Sequence, residues 1–288
     1  MKKTIYLHVG THKTGTTFLQ NFLSKNYEAL KEQGFDYLIS NCIWNAHHPL
    51  GWCFQGMDYN SLKTLCHWAD YGVINRLEDE VQQSNCNSFI ISSENLYQLK
   101  NIEFIERFFL RFKDFDIKPI IFLREQASFI ESWYYELIRA DYYKLTDEFC
   151  DFINNPRYEL NYYKAISRWS NLVGRQNIIV SNFKHAMHYG IDKYFLEILG
   201  VDGTGFNFQD AQKNQKATYA QIATMRVINQ LKMDSDSWYK ARNLILNDEM
   251  LKSSTQNILI DKEIKNKIQQ NYSLSNRMLF ENYGVDLI

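Results

Sequence analysis

The chain has 288 residues, 45% of them hydrophobic and 15% aromatic, enough for one large core or two small ones. Its 32 Lys and Arg nearly cancel 33 Asp and Glu, leaving a formal charge of -1, so the broad positive field that holds a polyanion is missing and nucleic acid is not expected as a partner. A small anion in a local basic pocket stays open. Five cysteines form no CxxC pair in a chain too large to need staples, which fits a reducing cytoplasm. Lys2 and Lys3 imitate the start of a secretory signal, but the apolar run after them is short and contains His8. No stretch approaches the roughly 20 apolar residues that cross a bilayer, so a cytoplasmic protein without an integral membrane segment is expected.

In chain order, "TIYLHV" (4 to 9) is short, β-branched and apolar on both faces, as in a buried parallel strand. From Thr16, the residues Phe18, Leu19, Phe22, Leu23, Tyr27 and Leu30 recur at helical spacing until Gly34. The aromatic and histidine-rich stretch from 41 to 60 has no clean period and is expected to be a long loop over a site. A helix is predicted over 73 to 84, a strand at "SFIIS" (88 to 92), a helix over 102 to 112 and a strand at "KPIIFL" (118 to 123), with Pro119 near its start. "REQASFIESWYYELIR" (124 to 139) is helical in spacing, "NIIVSNF" (177 to 183) reads as a fourth strand, and a helix over 190 to 199 ends at Gly200. Beyond Gly205 only helices are expected, near 217 to 232 and 258 to 281. Strands alternating with helices predict a three-layer α/β fold on a central parallel sheet. The whole of 1–288 is expected to be a single domain, with 1–204 as its α/β core and 205–288 as a helical extension.

Between the first strand and helix lies G-T-H-K-T-G-T-T, from Gly10 to Thr17, with two glycines, four threonines and Lys13 in eight positions. A glycine turn from strand into helix aims backbone N–H groups and the positive end of the helix dipole at whatever lies above the sheet edge, and phosphate is the natural occupant. Thr16 and Thr17 add hydroxyls, and packing gives no reason for an ammonium there. In a triphosphate loop the lysine follows the second glycine and the next hydroxyl holds magnesium. Here the lysine stands three residues earlier, and no Asp follows "SFIIS" to hold a metal. ATP with Mg²⁺ is therefore disfavoured, and a single phosphate with a transferable group beside Lys13 is favoured.

"HVGTHKTGTTFLQ" resembles the 5′-phosphosulfate loop of sulfotransferases that use 3′-phosphoadenosine 5′-phosphosulfate (PAPS), particularly the bacterial branch acting on carbohydrates and small hydroxylated acceptors. "IIFLREQASFIESWY" resembles the same family's 3′-phosphate motif, a strand ending in arginine with a serine eight residues later, here Arg124 and Ser132. The resemblance implies a P-loop-like fold and a PAPS-dependent enzyme that moves a sulfuryl group to a carbohydrate or other small acceptor without a metal. It implies that Thr11, His12, Lys13, Thr14, Gly15, Thr16 and Thr17 hold the 5′ end of the nucleotide and that Arg124 and Ser132 hold the 3′-phosphate. Lys13 would donate to the bridging oxygen.

An attacking hydroxyl needs a base. Glu94, just past the second predicted strand, is the first candidate; capping of a following helix is its competing reading. His47 and His48 are the other candidates, as base or acceptor clamp, while His12 is expected to shape the turn. Trp44, Trp52 and Tyr59 are candidates to stack on a sugar ring, unless they belong to the core. "QKNQKAT" (212 to 218) reads as a basic lid or a solvated loop. The competing function readings are a small-molecule kinase with a rearranged loop and a non-catalytic nucleotide-binding protein.

Overall fold

A computed structural model describes residues 2–65, 72–208, 217–253 and 259–287. Among the described residues five strands form one parallel sheet: β1 (Thr4–His8), β2 (Phe35–Tyr37), β3 (Ser88–Ser92), β4 (Asp116–Leu123) and β5 (Ile179–Asn182), in the order β2-β3-β1-β4-β5. The helices are α1 (Thr16–Lys25), α2 (Tyr27–Glu32), α3 (His48–Gln55), α4 (Tyr59–Leu65), α5 (Val73–Gln83), α6 (Ile102–Arg111), α7 (Gln126–Arg139), α8 (Phe149–Asn154), α9 (Tyr162–Val173), α10 (Phe183–Tyr189), α11 (Ile191–Leu199), α12 (Tyr219–Asn229), α13 (Ser235–Asn247), α14 (Glu249–Lys252) and α15 (Lys262–Tyr283). The α/β architecture with a central parallel sheet is thus as the alternating pattern predicts.

The chain falls into two compact units. The first comprises Met1–Arg124, Asn161–Ala211 and Ser275–Ile288 and contains the whole sheet. Because strand side chains alternate, Ile90, Ile120 and Phe122 face one layer with Leu19, Phe22 and Leu23 of α1 and Phe195, Leu196 and Leu199 of α11. On the opposite side, Phe54 of α3 packs edge-on against Phe104 and Phe108 of α6 and stacks with Trp169 of α9. The second unit comprises Glu125–Leu160 and Gln212–Leu274. Its described part is helical and is knit by Asn229, whose amide donates to the carbonyls of Ile138 and Leu145 and whose oxygen accepts from buried Trp238.

Several sequence expectations need correction. The stretch 41 to 60 is not a loop: it contains α3 and the start of α4. Pro49 suits the first turn of a helix, and Pro49, Leu50, Gly51, Trp52, Cys53 and Phe54 are all buried, so α3 has no polar face to give a period. The long helix expected from Thr16 to Gly34 is two helices meeting at Asn26, whose side chain turns back to the Phe22 carbonyl. The strand β2 is added after Gly34, and β4 begins at Asp116, which puts Pro119 inside it. The missing N–H is tolerated there because pairing with β5 begins only at Ile120. The apolar spacing does not predict helices α8, α9, α10, α13 and α14. Among the described residues no helix is long and apolar enough to cross a membrane. The side chain of Tyr59 and residues 212–216 of the basic stretch lie outside the described residues.

Candidate functional site

In this topology the chain leaves β1 between β3 and β4, and ligands of open parallel sheets bind beyond the carboxyl ends of such strands. Three connections converge on that edge: the loop after β1, residues 93 to 95 after β3, and Arg124 after β4.

The loop after β1 is tightly wound. Gly10, Lys13 and Gly15 all have positive φ, at 38°, 64° and 71°. A Cβ on Gly10 would stand 2.7 Å from the Thr16 methyl, so only glycine fits. Gly15 is the N-cap of α1 in a left-handed conformation with no side-chain cap, which leaves the leading amides of the helix to an external acceptor. Thr16 and Thr17 are its first two residues, Thr16 buried and Thr17 exposed. Thr11 and Thr14 are fully buried, and their hydroxyls brace the loop: Thr14 donates to the Thr11 carbonyl at 2.6 Å and Thr11 to the Phe122 carbonyl at 3.2 Å. Any contact they make with an anion is therefore through the backbone.

Arg124 joins the second motif to the first. Its Nη1 donates to the Lys13 carbonyl at 3.1 Å, its guanidinium lies over the Phe183 ring, and its own carbonyl accepts from the buried Tyr162 hydroxyl at 2.8 Å. Sequence reasoning missed Tyr162, which carries no motif. Ser132 lies in the second turn of α7, half-buried, in the second unit.

Glu94 opens a short 3-10 turn after β3, and the capping role falls to Ser93, whose hydroxyl accepts from the Asn95 amide. Burial pushes the Glu94 carboxyl up, but His12 and His48 nearby, with the Gln20 amide donating to Oε2 at 3.1 Å, outweigh it and hold the acid below the usual carboxylate range. The loop histidine and the α3 histidine therefore both act on Glu94. Gln20 is buried on α1 and has no sequence signal of its own.

The two adjacent histidines separate clearly. His47 is fully buried, and both ring nitrogens serve the backbone: Nδ1 accepts from the Ser92 amide at 3.1 Å and Nε2 donates to the Leu38 carbonyl at 2.8 Å. Burial lowers its pKa to about 4. No nitrogen is left for a substrate proton. His48 is half-buried, stacked on Trp52 with ring centroids 5.7 Å apart. The Asn95 amide, held by Gln55 through its oxygen, donates to His48 Nδ1 at 3.0 Å, which leaves the proton on Nε2. Burial also lowers the His48 pKa.

His8 lies beneath the loop. Nδ1 pairs with the Ser92 hydroxyl at 2.7 Å, while Nε2 is buried without a hydrogen-bond partner, against the position a Cβ on Gly10 would occupy. Burial takes its pKa down to about 4. Among the described residues no group of three or more His, Cys, Asp or Glu is close enough to hold a metal ion.

No family model matches the chain. An uncharacterised protein of Archaeoglobus fulgidus is 24% identical over 198 residues, 67% of this chain and 53% of the relative, so the match spans about half of that protein's length. The solved sulfotransferase from Alicyclobacillus acidocaldarius superposes with a TM-score of 0.56 at 14% identity, covering 100% of this chain and 98% of that one. The sulfotransferase domain from the curacin biosynthetic pathway covers 95% and 98% at 13% identity, with a TM-score of 0.41. The Alicyclobacillus likeness gives the fold: the chain is built on the α/β architecture of a sulfotransferase.

Proposed function

We propose that the protein is a sulfotransferase that moves a sulfuryl group from PAPS to a hydroxyl or amine of a carbohydrate or other small acceptor. The observation that supports this reading is the hydrogen bond from Arg124, at the end of the second motif's strand, to the carbonyl of Lys13 in the first motif's loop, whose His12 acts on Glu94. The cradle fits a phosphate. Gly10 has no room for a side chain, the start of α1 has no side-chain cap, and Thr16 and Thr17 stand at that start.

When bound, the nucleotide supplies the sulfuryl group. Transfer would form a bond from the acceptor oxygen or nitrogen to sulfur and break the bridging sulfur–oxygen bond, whose electron pair would stay with the 5′-phosphate. Lys13 compensates the charge that grows on that oxygen, while the amides of the Thr11–Thr17 loop hold the phosphate. Arg124 recognises the 3′-phosphate. Glu94, kept ionised by His12, His48 and Gln20, accepts the acceptor's proton. His48 presents Nε2–H and positions the acceptor rather than deprotonating it. His47 is structural.

The test is transfer of labelled sulfate from PAPS in EDTA. Wild-type protein is expected to turn over without metal, and Lys13→Ala to lose turnover while still binding 3′-phosphoadenosine 5′-phosphate. Strict dependence on Mg²⁺ and ATP would replace this reading with a kinase.

A further inference from the structure

Trp44 is 74% exposed, yet its backbone sits at φ 51°, a left-handed conformation that bulky residues adopt only against their own sterics. It occupies a two-residue hairpin turn. Ile43 and Ala46 exchange both backbone hydrogen bonds, at 2.8 and 3.0 Å, and Asn45 beside Trp44 also has positive φ, at 63°. Such turns favour Asn, Asp or Gly at both central positions. The turn is firmly held. The buried Tyr37 hydroxyl donates to the Asn45 carbonyl at 2.6 Å, the Ser24 hydroxyl to Asn45 Oδ1 at 3.1 Å, and Asn45 Nδ2 to Asn21 Oδ1 at 2.9 Å. The indole thus projects from a fixed backbone and lies edge-on to His48, centroids 6.1 Å apart. It buries too little surface for packing to account for it.

We infer that Trp44 is the platform for the acceptor, and that the acceptor is a neutral pyranose. The inference rests on the sulfotransferase reading of the same site. The C–H face of a sugar ring carries partial positive charge and packs on the electron-rich face of an indole. The side chains that hold the turn, Asn21, Ser24 and Asn45, are uncharged hydrogen-bonding groups, as a neutral polyol requires, and His48 lies beside the indole. A flat phenol gains most in a slot between two faces, whereas this indole is open.

The probe is 5-fluorotryptophan protein observed by ¹⁹F NMR, with the Trp44 resonance assigned by its loss in Trp44→Asn. Cellobiose, lactose, maltotriose and N-acetylchitobiose are titrated to tens of millimolar, with 2-naphthol as the aromatic comparison. At least one sugar is expected to shift the Trp44 resonance, with or without 3′-phosphoadenosine 5′-phosphate. Trp44→Asn, which suits the left-handed turn, is expected to melt at or above the wild-type temperature. It should raise KM for that sugar roughly 2- to 12-fold, the worth of an aromatic contact, and leave nucleotide affinity unchanged. No shift with any sugar, a shift with 2-naphthol alone, or a lower melting temperature with unchanged KM would overturn the platform. Failure to bind the nucleotide would instead remove the sulfotransferase reading and leave the sugar titration standing.

Discussion

Acidification is expected to unfold this protein through His8 and His47. Both are fully buried and neutral, with burial taking each pKa from 6.5 to about 4. A folded-state pKa below the unfolded value means that the unfolded chain binds the extra protons, so stability is present above pH 6.5 and is lost as pH falls toward 4. At about 1.36 kcal/mol per pH unit each ring is worth on the order of 3 kcal/mol across that window, and the two together reach a large part of a typical domain's stability of about 5–15 kcal/mol. The assay is urea unfolding at intervals between pH 7 and 4. Near pH 5.3 the slope of unfolding free energy against pH should correspond to at least about two protons, roughly 2–3 kcal/mol per pH unit, with His48, whose pKa burial also lowers, adding to it. His47→Gln, which keeps hydrogen-bonding groups but does not titrate, should lose about one proton from that slope, as should His8→Asn. A wild-type slope below one proton, or variants with unchanged slopes, would refute the burial argument. Because His8 lies under Gly10, loss of nucleotide binding should accompany the same transition.

Five further variants have expected outcomes. Arg124→Ala removes a charge-assisted hydrogen bond of about 1.5–3 kcal/mol, so affinity for 3′-phosphoadenosine 5′-phosphate should fall roughly 10- to 150-fold by calorimetry, more than for adenosine 5′-phosphosulfate. Gly51→Ala would place a Cβ 2.5 Å from the Asn95 Cβ and 2.8 Å from the Ser93 hydroxyl; thermal unfolding should report a loss of about 1–3 kcal/mol, and turnover should drop as the Glu94 turn shifts. Gln20→Leu deletes the amide that donates to Glu94, so the acid limb of kcat/KM should move to higher pH with nucleotide affinity unchanged. Glu94→Gln should abolish turnover and leave nucleotide affinity intact, whereas His48→Gln should act mainly on the acceptor's KM.

The first strand, loop and helix were legible because the glycines, the lysine and the 3.6-residue period fall within one short stretch. Arg124 was legible as the end of an apolar run. The helix α3 was not, since its buried all-round surface removes the polar face on which periodicity depends. The three-residue β2 is too short to show alternation. His47 and His48 are neighbours in sequence, and only the fold turns one into the backbone of β3 and leaves the other beside Glu94. Gln20 looks like any polar helix residue until β3 brings Glu94 against it. Trp44 could be named as a stacking residue, but its exposure and left-handed backbone belong to three dimensions alone.

Calorimetry of the intact protein with 3′-phosphoadenosine 5′-phosphate, adenosine 5′-phosphosulfate and ATP, each in EDTA, tests the proposed nucleotide site most directly. The 3′-phosphorylated nucleotide is expected to bind tightest, with that preference collapsing in Arg124→Ala. Tighter binding of ATP, or the same ranking in wild type and variant, would contradict it.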